Sequence, residues 1–182
     1  EQRTRTSTAG RLHLGFLGMS APFKGFGLVE NWIRRTAQQP LVWHLYGDVH
    51  ESLRADAQKL CDEYGDRVLL QGRQPPSVIY PNIDVLIHAS MEFDSFPTVL
   101  LEAARAGLPV VATNLGGSVE IVAHEQTGFL FSPTSPEDGL RWLQLLVQSP
   151  ELRDSMGHAA RARFVAEFGV ERMVAQYADC WS

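Results

Sequence analysis

Six short apolar runs, separated by segments with helical periodicity, constrain the fold of this chain more than any other feature. The runs cover residues 11–18, 41–47, 67–72, 83–88, 109–113 and 127–131. Apolar runs that alternate with helices are typical of parallel strands that helices cover on both faces. The pattern therefore predicts an α/β protein built on a doubly wound parallel sheet of about six strands.

Helical signals fill the segments between these runs. In the first segment, Leu28, Trp32 and Ile33 share one face of a predicted helix. Helices are predicted over residues 26–37, 51–64, 119–123, 137–148, 150–164 and 170–181, with another beginning at Pro97 and a brief link over 75–81. No internal repeat is visible. We therefore expect one domain over residues 11–182 and a linker or disordered end over residues 1–10.

The composition argues against several classes of protein. A formal net charge of −5 disfavours nucleic-acid binding, which usually needs a basic face. The two cysteines, Cys61 and Cys180, are too few for a disulfide framework and lack metal-ligand spacing, so we expect ordinary thiols. The apolar runs are too short to span a membrane, and residues 1–10 lack the apolar core of a signal peptide. We therefore expect a cytoplasmic protein.

The stretch over residues 91–113 carries most of the candidate chemistry. Asp94 lies just before a predicted helix, and Glu102 lies inside it. Pro97 suits the first helical position, because its missing N–H would be unpaired there. Free N–H donors at the positive end of the helix, which favours anions, are then predicted on Phe96, Thr98 and Val99. An anion site near a carboxylate that accepts hydrogen bonds from hydroxyls is what a nucleotide-sugar requires.

Most of the unusual residues fall where the predicted strands end. The corresponding loops are residues 19–25, 47–50, 72–74, 89–96 and 114–118. Ligands of doubly wound sheets bind outside the carboxyl ends of the strands. We therefore expect these loops to form the binding site.

The segment from Asp94 to Ala103, followed by residues 107–113, resembles the acid-x7-Glu signature of retaining GT-B glycosyltransferases of family 4, the glycosyl transferases group 1. Shorter segments resemble the same family in the expected order: Pro22-Phe23-Lys24-Gly25, Tyr46-Gly47-Asp48, Gly116-Gly117-Ser118-x-Glu120 and Thr127-Gly128-Phe129-Leu130. The resemblance implies a Rossmann-like domain, the C-terminal half of a GT-B fold, which binds a nucleotide-sugar donor. Nothing in the sequence resembles the N-terminal, acceptor-binding half, through which any peripheral membrane contact would occur.

The resemblance also implies roles for individual residues. Glu102 would accept hydrogen bonds from the ribose hydroxyls of the nucleotide. Asp94 matches the first acid, usually a glutamate, which lies by the donor sugar; Glu92 competes for this role, but the spacing to Glu102 favours Asp94. Lys24 matches the lysine that pairs with the donor diphosphate. Asp94 and Lys24 are thus the candidate catalytic residues.

Further donor-binding residues follow from the same resemblance. They are predicted at Ser95, Phe96, Pro97, Thr98 and Val99 around the helix start, at Gly18, Met19 and Gly47 on the first two loops, and at Gly72, Arg73 and Gln74 around the base. Met19 stands where the family normally has an arginine, so one phosphate contact is lost unless Arg73 compensates. The family generally needs no metal, and we expect no cofactor besides the NDP-sugar substrate.

Several alternatives remain open. The departures at Met19 and Asp94 also fit a non-catalytic nucleotide-sugar-binding or docking subunit, and a sugar-nucleotide epimerase would share the architecture. Residues 116–118 are either a phosphate-facing turn or a tight loop.

The Gly-Phe-Gly sequence at residues 25–27 lacks the third glycine of a dinucleotide fingerprint. Satisfied core histidines are expected at His13, His44 and His88.

Overall fold

The computed structural model describes residues 10–19 and 21–181. The end predicted over residues 1–10 lies outside this part except for Gly10, as does the thiol of Cys180; the thiol of Cys61 is free and partly buried. The six predicted strands are all present: β1 Leu12–Leu17, β2 Leu41–Tyr46, β3 Val68–Gly72, β4 Val85–His88, β5 Val110–Thr113 and β6 Gly128–Phe131. They form one parallel sheet.

Helices connect the strands on both faces of the sheet. They are α1 Phe26–Arg35, α2 Arg54–Tyr64, α3 Pro76–Ile79, α4 Thr98–Arg105, α5 Ser118–Ile121, α6 Pro136–Gln148, α7 Pro150–Glu167 and α8 Val170–Cys180. Short 3₁₀ turns precede α1 and flank α2, and another follows α3 at Tyr80–Asn82. None of the helices in the described part is long and apolar enough to cross a membrane.

The strands lie in the order β3-β2-β1-β4-β5-β6. The chain first moves outward from β1 to β3 and then returns to the other side of β1 to begin β4. The order of the strands therefore reverses between β1 and β4, which pair directly with Leu14 opposite Val85 and Phe16 opposite Ile87. In open α/β sheets such a reversal opens a crevice at the carboxyl ends of the strands.

Two apolar clusters cover the two faces of the sheet. Because side chains alternate along a strand, Val85 and Ile87 of β4 join one cluster, with Trp32 of α1. Leu86 joins the other cluster, with Leu100 of α4. Since both faces are buried, the strands read as almost continuous apolar runs. The clusters fix which faces of α1 and α4 pack on the sheet, and because each helix follows a strand, its amino end lies at the crevice.

The buried histidines only partly fit the prediction that each is satisfied. His13 Nδ1 lies 2.8 Å from His44 Nε2, and the Gln71 amide lies 3.1 Å from His44 Nδ1. However, the Nε2 atoms of His13 and His88 are buried without a hydrogen-bond partner in the described structure. Burial, together with the charge of its neighbour His13, lowers the pKa of His44 to about 4. His44 is therefore neutral at neutral pH.

Candidate functional site

Two loops meet at the carboxyl ends of β1 and β4, where the strand order reverses. The Met91 N–H donates to the Phe23 carbonyl at 2.8 Å and joins them. Gly25 turns the first loop into α1 with φ +89°, and a Cβ at this position would lie 1.9 Å from the Ala89 carbonyl oxygen. Only glycine accepts both this backbone conformation and this approach. The sequence Lys-Gly therefore fixes Lys24 beside the loop after β4.

Lys24 and Asp94 form an ion pair across this crevice. The Lys24 ammonium donates to Asp94 Oδ2 at 3.0 Å, and the side chains are 28% and 24% exposed. Burial by itself raises the pKa of the Asp94 carboxyl, but the hydrogen bond and charge of Lys24, with the Phe96 N–H, outweigh it and leave that pKa below its ordinary value. The structure thus brings together the two residues predicted to be catalytic.

The start of α4 differs from the prediction by one residue. Pro97 is the N-cap rather than the first helical residue, and α4 begins at Thr98. The Phe96 N–H, predicted to be free, donates to Asp94 Oδ1 at 3.3 Å. The free donors of the first helical turn are therefore those of Thr98 and Val99. Thr98 is exposed, as is Ser95 in the turn before it.

The loop after β5 supports the Asp94 loop from behind. The Gly117 N–H donates to the Asp94 carbonyl at 2.9 Å. A Cβ at Gly116 would lie 2.1 Å from the Asp94 carbonyl oxygen, and one at Gly117 would lie 2.4 Å from that of Ser95. The bonded N–H groups of Gly117 and Ser118 fit the tight loop of the two alternatives, and a phosphate contact at Gly116 stays a prediction.

Glu102 lies on α4 away from the ion pair, beside an open groove of about 900 Å³. The groove runs between α3 and α4, and Pro76, Ser77 and Arg105 also line it. The Tyr80 hydroxyl donates to Glu102 Oε2 at 2.8 Å. Sequence reasoning missed Tyr80, because an aromatic residue in an apolar segment is usually only a core residue. No contact in the described structure joins Glu102 to Lys24 or Asp94.

The loops after β2 and β3 meet on the other side of the crevice. The Gly47 N–H donates to the Gly72 carbonyl at 2.8 Å. Both glycines have positive φ values, +111° and +62°. Arg73 lies 3.4 Å from Asp48, with both side chains largely exposed. The Gln74 amide donates to the Gln71 carbonyl at 3.1 Å. Arg73 remains accessible to an anion, so its compensating role stays a prediction.

Met19 and Gly18 lie beneath the crevice rather than in it. The Met19 side chain is fully buried in the core. Its N–H donates to the Tyr46 carbonyl at 3.3 Å, and its carbonyl accepts from the His50 N–H at 2.9 Å. A Cβ at Gly18 would lie 2.2 Å from the Phe16 ring. The Met19 side chain and both its backbone groups are thus engaged within the protein, and the donor contact predicted there stays a prediction.

His88 ends β4 below the ion pair. Burial lowers its pKa to about 4; the charge of Lys24 acts in the same direction, and that of Asp94 opposes it. His88 is therefore neutral at neutral pH, and Asp94 is the charged partner of the Lys24 ammonium. Among the described residues, no group of three or more histidines, cysteines or acids could hold a metal ion.

Comparison with known families gives one match over most of the chain. Residues 14–163 match the family described as Glycosyl transferases group 1. Among curated relatives, N-acetyl-alpha-D-glucosaminyl L-malate synthase of Bacillus anthracis is 33% identical over 112 residues, which are 62% of this chain and 29% of that protein.

Solved structures show the same fold. Anabaena Alr3699/HepE in complex with UDP-glucose is 23% identical, with a TM-score of 0.81 over 95% of this chain and 49% of the other. The C-terminal domain of a glycosyl transferase group 1 family protein from Francisella tularensis is 17% identical, with a TM-score of 0.75 over 87% of both chains. This chain thus has the fold of such a C-terminal domain, and it spans about half the length of the Anabaena protein.

Proposed function

The chain belongs to the glycosyl transferases group 1 family, and on that premise we propose that it is the donor-binding half of a retaining glycosyltransferase. The complete enzyme would transfer a hexosyl group from a nucleoside diphosphate sugar to a glycan, a lipid or a small acceptor. One observation carries the proposal: Lys24 and Asp94 pair across the point where the strand order reverses. Ligands of this fold class bind there.

The ion pair supplies the two charges that breaking a glycosyl–phosphate bond requires. As the bond breaks, negative charge develops on the departing diphosphate and positive charge develops on the anomeric carbon. The Lys24 ammonium would move from Asp94 to the diphosphate and stabilise the leaving group, helped by the free N–H groups of Thr98 and Val99. Asp94, released from Lys24, would accept hydrogen bonds from sugar hydroxyls and favour positive charge at the anomeric carbon. The proposal needs no metal ion for these tasks.

Front-face displacement is the proposed reaction. The bond between the anomeric carbon and the diphosphate oxygen breaks, and its electron pair leaves with the nucleoside diphosphate. The acceptor hydroxyl oxygen forms the new bond on the same face of the sugar, which retains the anomeric configuration. Its proton passes to the departing phosphate oxygen, so charge and atoms balance.

The nucleoside would lie along the loops after β2 and β3 and the groove beside Glu102. Glu102 would accept hydrogen bonds from the ribose hydroxyls, because an ionised carboxylate is an acceptor only and a vicinal diol offers two donors. Gly72, Arg73 and Gln74 would contact the base. The complex of Anabaena Alr3699/HepE with UDP-glucose supports this class of ligand.

This chain by itself is expected to bind the donor but to turn it over slowly. Transfer requires an acceptor held within bonding distance of the anomeric carbon, and a second half would supply that geometry on closing. A non-catalytic donor-binding subunit is the alternative, which the buried Met19 in place of an arginine favours. Transfer activity after mixing with a separately expressed acceptor-binding half would support the enzyme; binding without transfer would support the alternative.

Calorimetric titration with UDP, GDP and ADP tests the site. We expect Lys24→Ala and Glu102→Ala each to weaken the tightest-binding nucleotide at least about tenfold, because each removes a charge-assisted contact. Lys59→Ala on α2 and Glu151→Ala on α7 are the matched controls, since both side chains are exposed and lie outside the proposed site. Equal affinity of wild type, Lys24→Ala and Glu102→Ala would show that the nucleotide binds elsewhere.

A further inference from the structure

The buried hydroxyl of Tyr80 has a feature that simple core packing does not explain. Tyr80 lies in the 3₁₀ turn between α3 and β4 and is only 4% exposed. Its hydroxyl donates to Glu102 Oε2 at 2.8 Å, while the Val99 carbonyl lies farther away at 3.3 Å. A phenol has one proton, so the shorter contact to the charged oxygen takes it.

The protonation state of Tyr80 makes it the donor in this bond. Burial raises the pKa of the Tyr80 phenol, and the hydrogen bond and charge of Glu102 raise it further. Tyr80 is therefore protonated at neutral pH, and towards Glu102 it acts as a donor.

The bond leaves part of the Glu102 carboxylate available. In the described structure, Tyr80 is its one side-chain donor, and it contacts Oε2 alone. A carboxylate has about four lone-pair sites on two oxygens, so Oε1 and part of Oε2 can still accept from a ligand. The same side chain lines the open groove between α3 and α4. One oxygen is thus bonded to a buried ring, and the side chain borders a space large enough for a nucleoside.

We propose that Tyr80 is a positioning residue that holds Glu102 for the ribose diol and thereby sets the preference for ribonucleotides over 2′-deoxyribonucleotides. This inference rests on the proposed function, in which Glu102 binds ribose. A free glutamate side chain samples several rotamers, and ordering it on binding lowers affinity. Tyr80 orders it before the ligand arrives. Recognition of the 2′-hydroxyl then depends on a carboxylate that is already in place.

Affinities for UDP and 2′-deoxy-UDP, compared in wild type and Tyr80→Phe, test the proposal. Phenylalanine keeps the buried ring and removes only the donor. We expect wild type to prefer UDP, and Tyr80→Phe to bind UDP about tenfold more weakly, with a clearly smaller loss for 2′-deoxy-UDP, which keeps only the 3′-hydroxyl. A purely structural role would weaken both nucleotides equally. The control is Tyr46→Phe, at a second buried tyrosine whose ring stacks on His44, and it should keep the wild-type ratio of affinities.

Glu102→Ala separates failure of this inference from failure of the proposed function. Loss of the preference in Glu102→Ala but not in Tyr80→Phe overturns the role of Tyr80 alone. An unchanged preference in Glu102→Ala overturns the ribose site itself, as does the absence of binding by UDP, GDP and ADP. If another of these nucleotides binds more tightly, it and its 2′-deoxy form replace UDP. If both assignments hold, Tyr80→Phe has no further effect on the ratio in the Glu102→Ala background.

Discussion

The Gly117 N–H donates to the Asp94 carbonyl at 2.9 Å, so the loop after β5 supports the loop that carries the acid. The bond leaves no room for a side chain behind Asp94, because a Cβ at Gly117 would lie 2.4 Å from the Ser95 carbonyl oxygen. Gly117 has φ −67°, which any residue adopts. Its requirement for glycine is therefore one of space rather than of backbone conformation.

Gly117→Ala should accordingly displace the Asp94 loop and lower the free energy of unfolding by about 1–3 kcal/mol, the usual cost of overpacking. Urea unfolding measures this cost, and nucleotide titration should show weaker binding. The control is Gly27→Ala, because Gly27 lies in α1 and a Cβ added there would have nothing within 4 Å. That change should be neutral or stabilising. Equal stability of the two variants would contradict the assigned role of Gly117.

Lys24→Gln should raise the pKa of Asp94 above its wild-type value, because the ammonium no longer opposes burial and the Phe96 N–H remains as the hydrogen-bond donor. A carbon-detected NMR titration of the carboxyl group measures the change. A carboxyl whose pKa is lower in the folded than in the unfolded state stabilises above its unfolded pKa, and this contribution is lost as pH falls through the folded value. The stability advantage of wild type over Lys24→Gln should therefore shrink at acid pH. Lys59→Gln, at an exposed lysine on α2, is the control. An Asp94 pKa that is the same in Lys24→Gln as in Lys59→Gln would refute the ion pair.

Acid should destabilise the protein well before its carboxylates titrate. Burial is the main cause that lowers the pKa of His44 and His88 to about 4. An unfolded histidine binds a proton near pH 6.5. Between about pH 6.5 and 4 the unfolded state therefore binds more protons than the folded state, and the free energy of unfolding decreases as the pH is lowered. Above this window both histidines are neutral in the folded and the unfolded state, and the protein has its full stability. Each histidine contributes up to about 3 kcal/mol to the loss as the pH falls.

Urea unfolding of His88→Leu at pH 7.5, 6.0 and 5.0 tests this dependence. Leucine removes the titrating ring and its unpartnered Nε2 atom, so the variant should lose less stability than wild type on acidification. His158→Leu is the control, because His158 is exposed on α7 and should keep the wild-type slope. The same acid loss in all three proteins would exclude His88 as a source.

Arg73→Ala should leave the thermal unfolding midpoint unchanged, because the Arg73–Asp48 pair is solvent-exposed and such pairs contribute little stability. UDP affinity should fall by a few-fold, and the fall should diminish at higher salt, since an exposed cation acts mainly through screened attraction. Titrations at low and high salt, compared with Lys24→Ala, measure this effect. A larger loss for Arg73→Ala than for Lys24→Ala would make Arg73 the principal phosphate ligand.

Local rules account for most of the fold. The strands over residues 12–17 and 85–88 were predictable because both of their faces are buried, so nearly every side chain in them is apolar. The helix at residues 98–105 was predictable from its apolar face and the preceding proline, with an error of one residue at its start. That error arose because Pro97 has an extended backbone, with ψ 92°, and only its carbonyl joins the helix by accepting from the Leu100 N–H, a conformation that sequence periodicity does not report.

The sequence by itself determined the parallel α/β class, the positions of its strands, and the likeness of residues 94–102 to a known signature. These features depend on hydrophobic periodicity and on turn-forming residues, which are local properties of the chain. Only the tertiary structure decided that Lys24 pairs with Asp94, that Tyr80 holds Glu102, and that Met19 is buried. The Lys24–Asp94 pair depends on β1 lying next to β4, whereas the other two contacts depend on how the segments after β3 and β1 fold back onto α4 and the end of β2. Strand order is a property of the whole sheet. No single segment encodes that order.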